Sequence, residues 1–363
     1  MSEENLPVAP PVPHQRRKRY GGKNPRRFEE KYKEHGGDAA TIAKVLAAGK
    51  TPVGTHRPIM VAEILAVLAP QPGEIAVDCT LGYGGHAQQI LSKILPGGKL
   101  FGLDQDPVEL PKTEARLRAL GFDETVFTAH RSNFAGLLQA LAAQNLAGAD
   151  VILADLGVSS MQIDDPARGF SVKHDGPLDM RMNPQRSQPA SALLKKIQPA
   201  ALAELLVDFA DEPNAATLAP LLAGKAFATT RALGDAIRAA LPRLGKDDSD
   251  LTVRRVFQAL RIAVNDEIGS LKRGLEGAVR ILKPGGRLAV ITFHSLEDRV
   301  VKEFGREKTR DYSFAGEVDV PELRTPRVPE LKWVSRKAIL PGDEELNANP
   351  RARSAQLRVL EKI

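Results

Sequence analysis

The residues best suited to chemistry begin in a glycine-rich run, Asp78-Cys79-Thr80-Leu81-Gly82-Tyr83-Gly84-Gly85-His86, which closes the short apolar segment EIAVDCTL. Glycines let a backbone approach a ligand closely, and a helix starting just beyond presents free N–H groups. Such a turn suits a nucleotide phosphate or, equally, the carboxylate of methionine. The next apolar run, FGLDQD, puts Asp104 18 residues beyond His86. An acid at that point accepts both ribose hydroxyls of an adenosine ligand, although it could also cap the following helix. A dinucleotide enzyme carries Gly-x-Gly-x-x-Gly directly between strand and helix. The spacing here departs from that and favours S-adenosylmethionine over NAD, with Asp78 as a carboxylate for the ligand's ammonium.

These residues need a scaffold that gathers them at one edge. From His56 onward the chain alternates amphipathic and short apolar segments: RPIMVAEILAVL, EIAVDCTL, AQQILSKIL, KLFGLDQD, a helix over 108–120, TVFTAH, a helix over 134–144, and DVILADLG. Strands alternating with helices at this spacing predict a parallel sheet covered on both faces. Residues 164–265 then lack any strand pattern and carry Ala/Leu-rich helical segments at 190–207, 215–226, 230–241 and 252–268. The alternation resumes with a helix through Leu282, a KPGG turn and the strand RLAVITF, and segments 333–339 and 355–360 form a closing strand pair. The expected fold is α/β: a doubly wound, Rossmann-like class I adenosylmethionine-dependent methyltransferase domain (55–163 and 266–363) with an all-helical insertion (164–265) for substrate recognition.

Composition sets the context. The chain has 363 residues, 42% hydrophobic and 26% charged, with no apolar stretch long enough for a membrane span and no secretory signal pattern at its start. One cysteine, Cys79, excludes an internal disulfide and a multi-cysteine metal site and suits a reducing cytoplasm. Most of the +6 net charge lies in residues 1–50, and His14–Lys33 holds nine basic side chains against two acidic ones. Residues 1–54 thus read as a basic arm, with a short helix over 41–48, either for RNA or as a solubilising tail. No His/Cys/Asp grouping has metal-ligand spacing, so no metal is expected.

Further segments are specific. They are DLGVSSMQID from Asp155, RGFS from Arg168 with GPLDMRM from Gly176, FQALRI from Phe257 with Val264-Asn265, FHSLEDR from Phe293, and NPRARSAQLR from Asn349. Together with His56-Arg57-Pro58 and the glycine loop they resemble the MraW-type family of ribosomal RNA cytosine N4-methyltransferases, over about 56–363. The resemblance implies a cytosolic enzyme acting on 16S ribosomal RNA, within the small ribosomal subunit, as monomer or dimer. It also implies an S-adenosylmethionine site at Gly84, Gly85 and His86, with Asp104 on the ribose, Phe134 on the adenine, and Asp155 and Gln162 beside the methyl donor. Read alone, Phe134 is a core aromatic at a helix start. The chain departs from the family in lacking Pro-Ala before its VFQALRI run and in carrying Asp211-Glu212-Pro213 where Gly-Glu-Glu is usual.

The cytosine N4 amine is a weak nucleophile because its lone pair is delocalised into the ring. A catalyst must align the nitrogen with the sulfonium methyl and accept its N–H hydrogens. At the end of the fourth strand Asp155 is the candidate acceptor, assisted by Ser159 or Ser160, with Phe170 offering a stacking face or a core contact. His294 could orient the base, or be a hydrogen-bonded structural group. Asp179, Arg181 and Arg299 suggest an ion-pair network at the pocket mouth. Methylation at ring carbon C5 would need a thiolate, and Cys79 at a strand end reads as a small buried hydrophobe. Rival readings are another amine substrate (in DNA or a protein) or an RNA-binding assembly factor that retains the fold.

Overall fold

A computed structural model describes residues 58–314 and 319–363, so the basic arm and the helix expected at 41–48 lie outside the described residues. Five strands run parallel: β1 (Ile75–Asp78), β2 (Lys99–Asp104), β3 (Phe127–Arg131), β4 (Ala149–Asp155) and β5 (Leu282–Thr292). A small ribbon, β6 (Tyr312–Phe314) with β7 (Arg324–Pro326), stands apart. The antiparallel pair β8 (Leu331–Trp333) and β9 (Gln356–Lys362) then completes one seven-stranded sheet in the order β3-β2-β1-β4-β5-β9-β8. Of the expected closing pair, β9 matches 355–360, whereas β8 overlaps 333–339 only at Trp333, with Ile339 adding an isolated bridge to Leu357.

Because side chains alternate across a strand, the central strands feed two cores. Ala76, Leu100, Val151 and Leu153 pack beneath α1 (Val61–Leu68), α2 (Gly85–Ile94) and α3 (Glu109–Ala119) through Ile64, Ile90 and Leu117. Val77, Phe101, Leu103 and Ile152 face the other way, onto α4 (Leu137–Ala142) and a later helix. Apolar residues on both faces explain why these strands read as continuous hydrophobic runs.

After β4 the chain makes the short helix α5 (Ser160–Asp164) and leaves the sheet. It builds α6 (Ala190–Lys196), α7 (Pro199–Ala210), α8 (Ala215–Leu222), α9 (Thr230–Ala240) and α10 (Lys246–Asn265) around a separate core that includes Leu202, Leu206, Leu218, Ile237, Val256 and Leu260. Two helices differ most from expectation, while those expected over 215–226 and 134–144 are shorter, at Ala215–Leu222 and Leu137–Ala142. The one expected over 190–207 is split, because Ile197 and Gln198 are extended and Pro199 opens a new helix, where its missing N–H costs nothing. The one expected over 252–268 starts at Lys246 and stops at Asn265; Asp266, at φ 47°, turns the chain into α11 (Glu267–Ile281).

α11 supplies Leu271, Leu275 and Ala278 to the second core and is joined there by Val300 and Val301 of α12 (Ser295–Lys308). The KPGG residues are drawn into the start of β5, where the β4–β5 register shifts and Gly285 takes φ 78°. The Glu345 carboxylate of α13 (Asp343–Ala348) accepts from the Met60 N–H at 2.8 and 2.9 Å, tying this late helix to the start of α1. No helix among the described residues is long and apolar enough to cross a membrane.

Candidate active site

A cavity of about 560 Å³ opens beside the carboxyl ends of β1, β2 and β4, where open α/β sheets bind their ligands. One wall is the glycine loop. Gly82 and Gly85 line it directly, whereas Gly84 makes the turn itself at φ 78° and does not reach the wall. A Cβ on Gly85 would fall 2.3 Å from Pro58 Cγ, so only glycine lets the loop close there. No side chain caps α2, which leaves its first-turn N–H groups for a ligand.

Opposite the loop, Asp104 Oδ2 accepts from the Gly82 N–H and its Oδ1 from the Asp106 N–H, both at 2.8 Å. Its carboxylate thus locks the loop to β2 and keeps lone pairs for ligand hydroxyls. It does not cap α3, because Asp106 does that through the Val108 and Glu109 N–H groups. Burial pushes the Asp104 carboxyl up to about 6. Phe134 lines the cavity and also packs in the second core, so both readings of it meet in one ring. Asp78, 1% exposed, is not among the cavity-lining residues; its Oδ1 accepts from the Thr80 N–H at 3.1 Å.

Asp155 is held at the cavity edge by its own N–H, which donates to Thr80 Oγ1 at 2.7 Å. Its Oδ2 lies 3.6 Å from His86 Nδ1, while its buried Oδ1 has no hydrogen-bond partner. Burial, then the charges of Glu297 and Glu345, push its carboxyl up to about 7. The His86 ring is buried, with Nε2 donating to the Ile59 carbonyl at 2.8 Å; that bond fixes Nε2 as the protonated nitrogen and turns Nδ1 toward Asp155.

The stretch after Asp155 is set by a reciprocal cap. Ser159 Oγ accepts from the Gln162 N–H, and Gln162 Oε1 accepts from the Ser159 N–H at 3.0 Å. Gln162 Nε2 donates to Asp106 Oδ2 at 2.8 Å, so this amide is committed at both ends to positioning the loop. Arg168 Nη1 joins the same oxygen at 2.8 Å, and its Nη2 reaches the Arg181 and Met182 carbonyls. Asp106, 1% exposed, therefore links β2, the Ser159 loop and the chain entering the helical insertion. Ser159 lines the cavity; Ser160 opens α5, and its side chain lies outside the described residues.

His294 does not line the cavity, although its neighbours Phe293 and Glu297 do. Its Nδ1 accepts from the Glu297 N–H and caps α12, and its buried Nε2 sits 3.2 Å from Glu297 Oε1 without hydrogen-bond alignment. Burial opposes ionisation of Glu297, but His294, Arg261 and the Phe293 N–H hold its carboxyl below the usual range. The donor atoms of Glu267, His294 and Glu297 lie within 4.8 Å of one another, a grouping the sequence did not suggest, but Arg261 already grips both Glu267 oxygens at 2.8 and 2.9 Å. At the expected mouth network, Asp179 pairs with Arg181 at 2.7 Å, outside the cavity wall. Cys79 does touch the cavity, but its thiol is buried and burial, then Asp78, push it well above its ordinary range, which disfavours a thiolate.

A ligand with an amino-acid carboxylate, a ribose and an adenine matches this donor set: open helix N–H groups, a carboxylate fixed against the loop, and an aromatic wall. S-Adenosylmethionine fits it. Over residues 54–363 the sequence matches the model of the MraW methylase family. The chain belongs to that family. It is 42% identical to ribosomal RNA small subunit methyltransferase H 2 of Alkaliphilus metalliredigens, over 95% of this chain and 96% of that one. It is also 42% identical to ribosomal RNA small subunit methyltransferase H of Heliobacterium modesticaldum, over 85% of this chain and 98% of that one. The corresponding protein of Geobacter sp. strain M21 is 43% identical, over 85% and 98%. A methyltransferase is thus what the fold, the cavity and the family agree on.

Proposed function

We propose that this methyltransferase uses S-adenosylmethionine to methylate the N4 amine of a cytidine in 16S ribosomal RNA; the names of its relatives support a small-subunit ribosomal RNA substrate, and its cavity supports the cofactor. One observation carries the choice of an amine: Asp155 presents a carboxylate with an unpartnered, buried oxygen at the end of β4, beside the glycine loop. S-Adenosylmethionine supplies an electrophilic methyl on a sulfonium. Gly85, His86, Asp104, Phe134 and Asp155 would hold it, while Gly84 shapes the turn and Gln162 acts through the Ser159 loop.

Asp155 would accept an N–H of the flipped cytosine, which returns lone-pair density to N4, and is placed to take the proton that N4 gives up. Ser159 positions that loop, with Ser160 as a second hydroxyl there, and His294 orients Glu297 at the cavity wall. Residues 164–265 serve substrate recognition, and the basic arm at 1–54 adds phosphate contacts. Base flipping costs a few kcal/mol in a duplex and less in irregular RNA, which suits RNA presented in the small subunit.

The test is nucleoside mass spectrometry of 16S ribosomal RNA from a deletion strain. Loss of N4-methylcytidine, restored by the wild-type gene, is expected; an unchanged level sinks the assignment.

A further inference from the structure

Beside the main cavity lies a smaller one of about 190 Å³, with Gln105, Ser132, Asn133, Asn265 and Ser270 in both walls. Its character is opposite to that of its neighbour. Its lining contains one apolar side chain, Val264, and no aromatic ring, but three arginines: Arg131 at the end of β3, Arg186 within the insertion just before α6, and Arg273 on α11. Arg273 is neutralised by Asp266 at 2.5 Å. Arg131 donates to the neutral Gln185 Oε1 at 3.2 Å, and neither it nor Arg186 is held by a carboxylate among the described residues. Asn183, 7% exposed, accepts the Gln185 N–H on its Oδ1 at 3.0 Å, which leaves its amide N–H groups as donors.

We infer that this arginine-lined cavity binds a backbone phosphate of the substrate strand next to the flipped nucleotide. A base bound here would find no aromatic ring to stack on, whereas planar guanidinium groups and amide donors match phosphate oxygens. The shared wall gives the strand a continuous path from this cavity into the one that takes the target base. Because the cavity joins β3 to the insertion, a phosphate held there also fixes the distance between the two parts of the molecule. The inference rests on the RNA methyltransferase reading above.

The experiment compares wild type with an Arg131→Gln/Arg186→Gln double variant and with Arg186→Lys, using 16S ribosomal RNA from a strain lacking the modification. For the double variant, KM for RNA rises about tenfold, kcat and the calorimetric Kd for S-adenosylmethionine stay within about twofold, and the dependence of log KM on log salt flattens by about one. Arg186→Lys keeps KM within about threefold of wild type, because a point charge still meets the phosphate. If the double variant instead loses cofactor affinity with KM for RNA unchanged, the cavity belongs to the adenosine end and the inference is overturned. An unchanged KM and salt slope also overturn it. If the wild type itself transfers no methyl to this RNA, the underlying reading fails and the inference falls with it, a result distinct from either of the others.

Discussion

Replacing Asp106 with asparagine tests how the methyl-transfer loop is held in place. Its carboxylate is 1% exposed and accepts from four donors: Val108 N–H at 2.9 Å, Glu109 N–H at 3.4 Å, and Gln162 Nε2 and Arg168 Nη1, both at 2.8 Å. Asparagine offers one acceptor oxygen and turns two N–H groups toward donors that need an acceptor. A hydrogen bond to a charged group contributes about 1.5–3 kcal/mol, and removing one partner of a buried ion pair costs about 3–5 kcal/mol. We expect a loss of about 3–5 kcal/mol, seen as a melting temperature lower by roughly 10 °C. Adding Arg168→Gln removes the stranded guanidinium and should recover a good part of that loss. Turnover should not recover, because Gln162 still lacks its anchor and the Ser159 cap shifts; a displacement of about 1 Å near reacting atoms costs about a hundredfold in rate. Melting curves and steady-state kinetics at 20 °C, with cofactor Kd from calorimetry, provide the readouts. A single variant that melts within about 2 °C of wild type, or a double variant with full kcat, refutes the reasoning.

Other outcomes follow from the same geometry. On the proposed mechanism Asp155 takes the amine proton in its ionised form, and burial pushes its carboxyl up to about 7, so kcat should rise with pH through neutrality. Asp155→Asn should remove that limb while RNA binding survives in an anisotropy assay. At Asp104 the folded-state carboxyl is raised from 3.8 to about 6, so its stabilising contribution is complete below about pH 4 and is lost as pH climbs through 6. The loss is at most on the order of 3 kcal/mol, so calorimetric melts of ligand-free Asp104→Asn should improve relative to wild type between pH 5 and pH 8, while its Kd for S-adenosylmethionine worsens at least tenfold. A Cβ on Gly274 would fall 2.3 Å from the Phe134 ring, so Gly274→Ala should cost about 1–3 kcal/mol in thermal melts and weaken cofactor binding severalfold.

Much of this was legible in order along the chain. The strand and helix alternation, the loop at Gly82–Gly85, Asp104 and Asp155 all depend on local pattern, and the sheet brings them together because each sits at a strand's carboxyl end. The second acid of FGLDQD was not legible as a hub. Asp106 earns that role only through Gln162 and Arg168, 56 and 62 residues away, and nothing local marks such a partnership. The Arg261–Glu267–Glu297 grouping was missed for the same reason: Arg261 and Glu297 stand in two separately quoted segments, Glu267 in neither, and they meet only after the insertion returns to the sheet. The break at Asp266 escaped notice because no glycine or proline marks it; the split at Pro199 had its signal in the proline. The target base rests on family segments more than on any single geometric feature, with the unreactive Cys79 as local support.

The cavity is walled by residues from Pro58 to Ser354, and β9 closes the sheet against β5 only after those last wall residues. A ribosome reading this message thus releases the glycine loop and Asp155 long before Asn349 and Ser354, and before Glu345 reaches Met60. The nascent chain passes through synthesis with its reaction chamber missing a side. A polypeptide interrupted before β9 therefore carries the glycine loop, Asp104 and Asp155 on a sheet that lacks the strand pairing with β5.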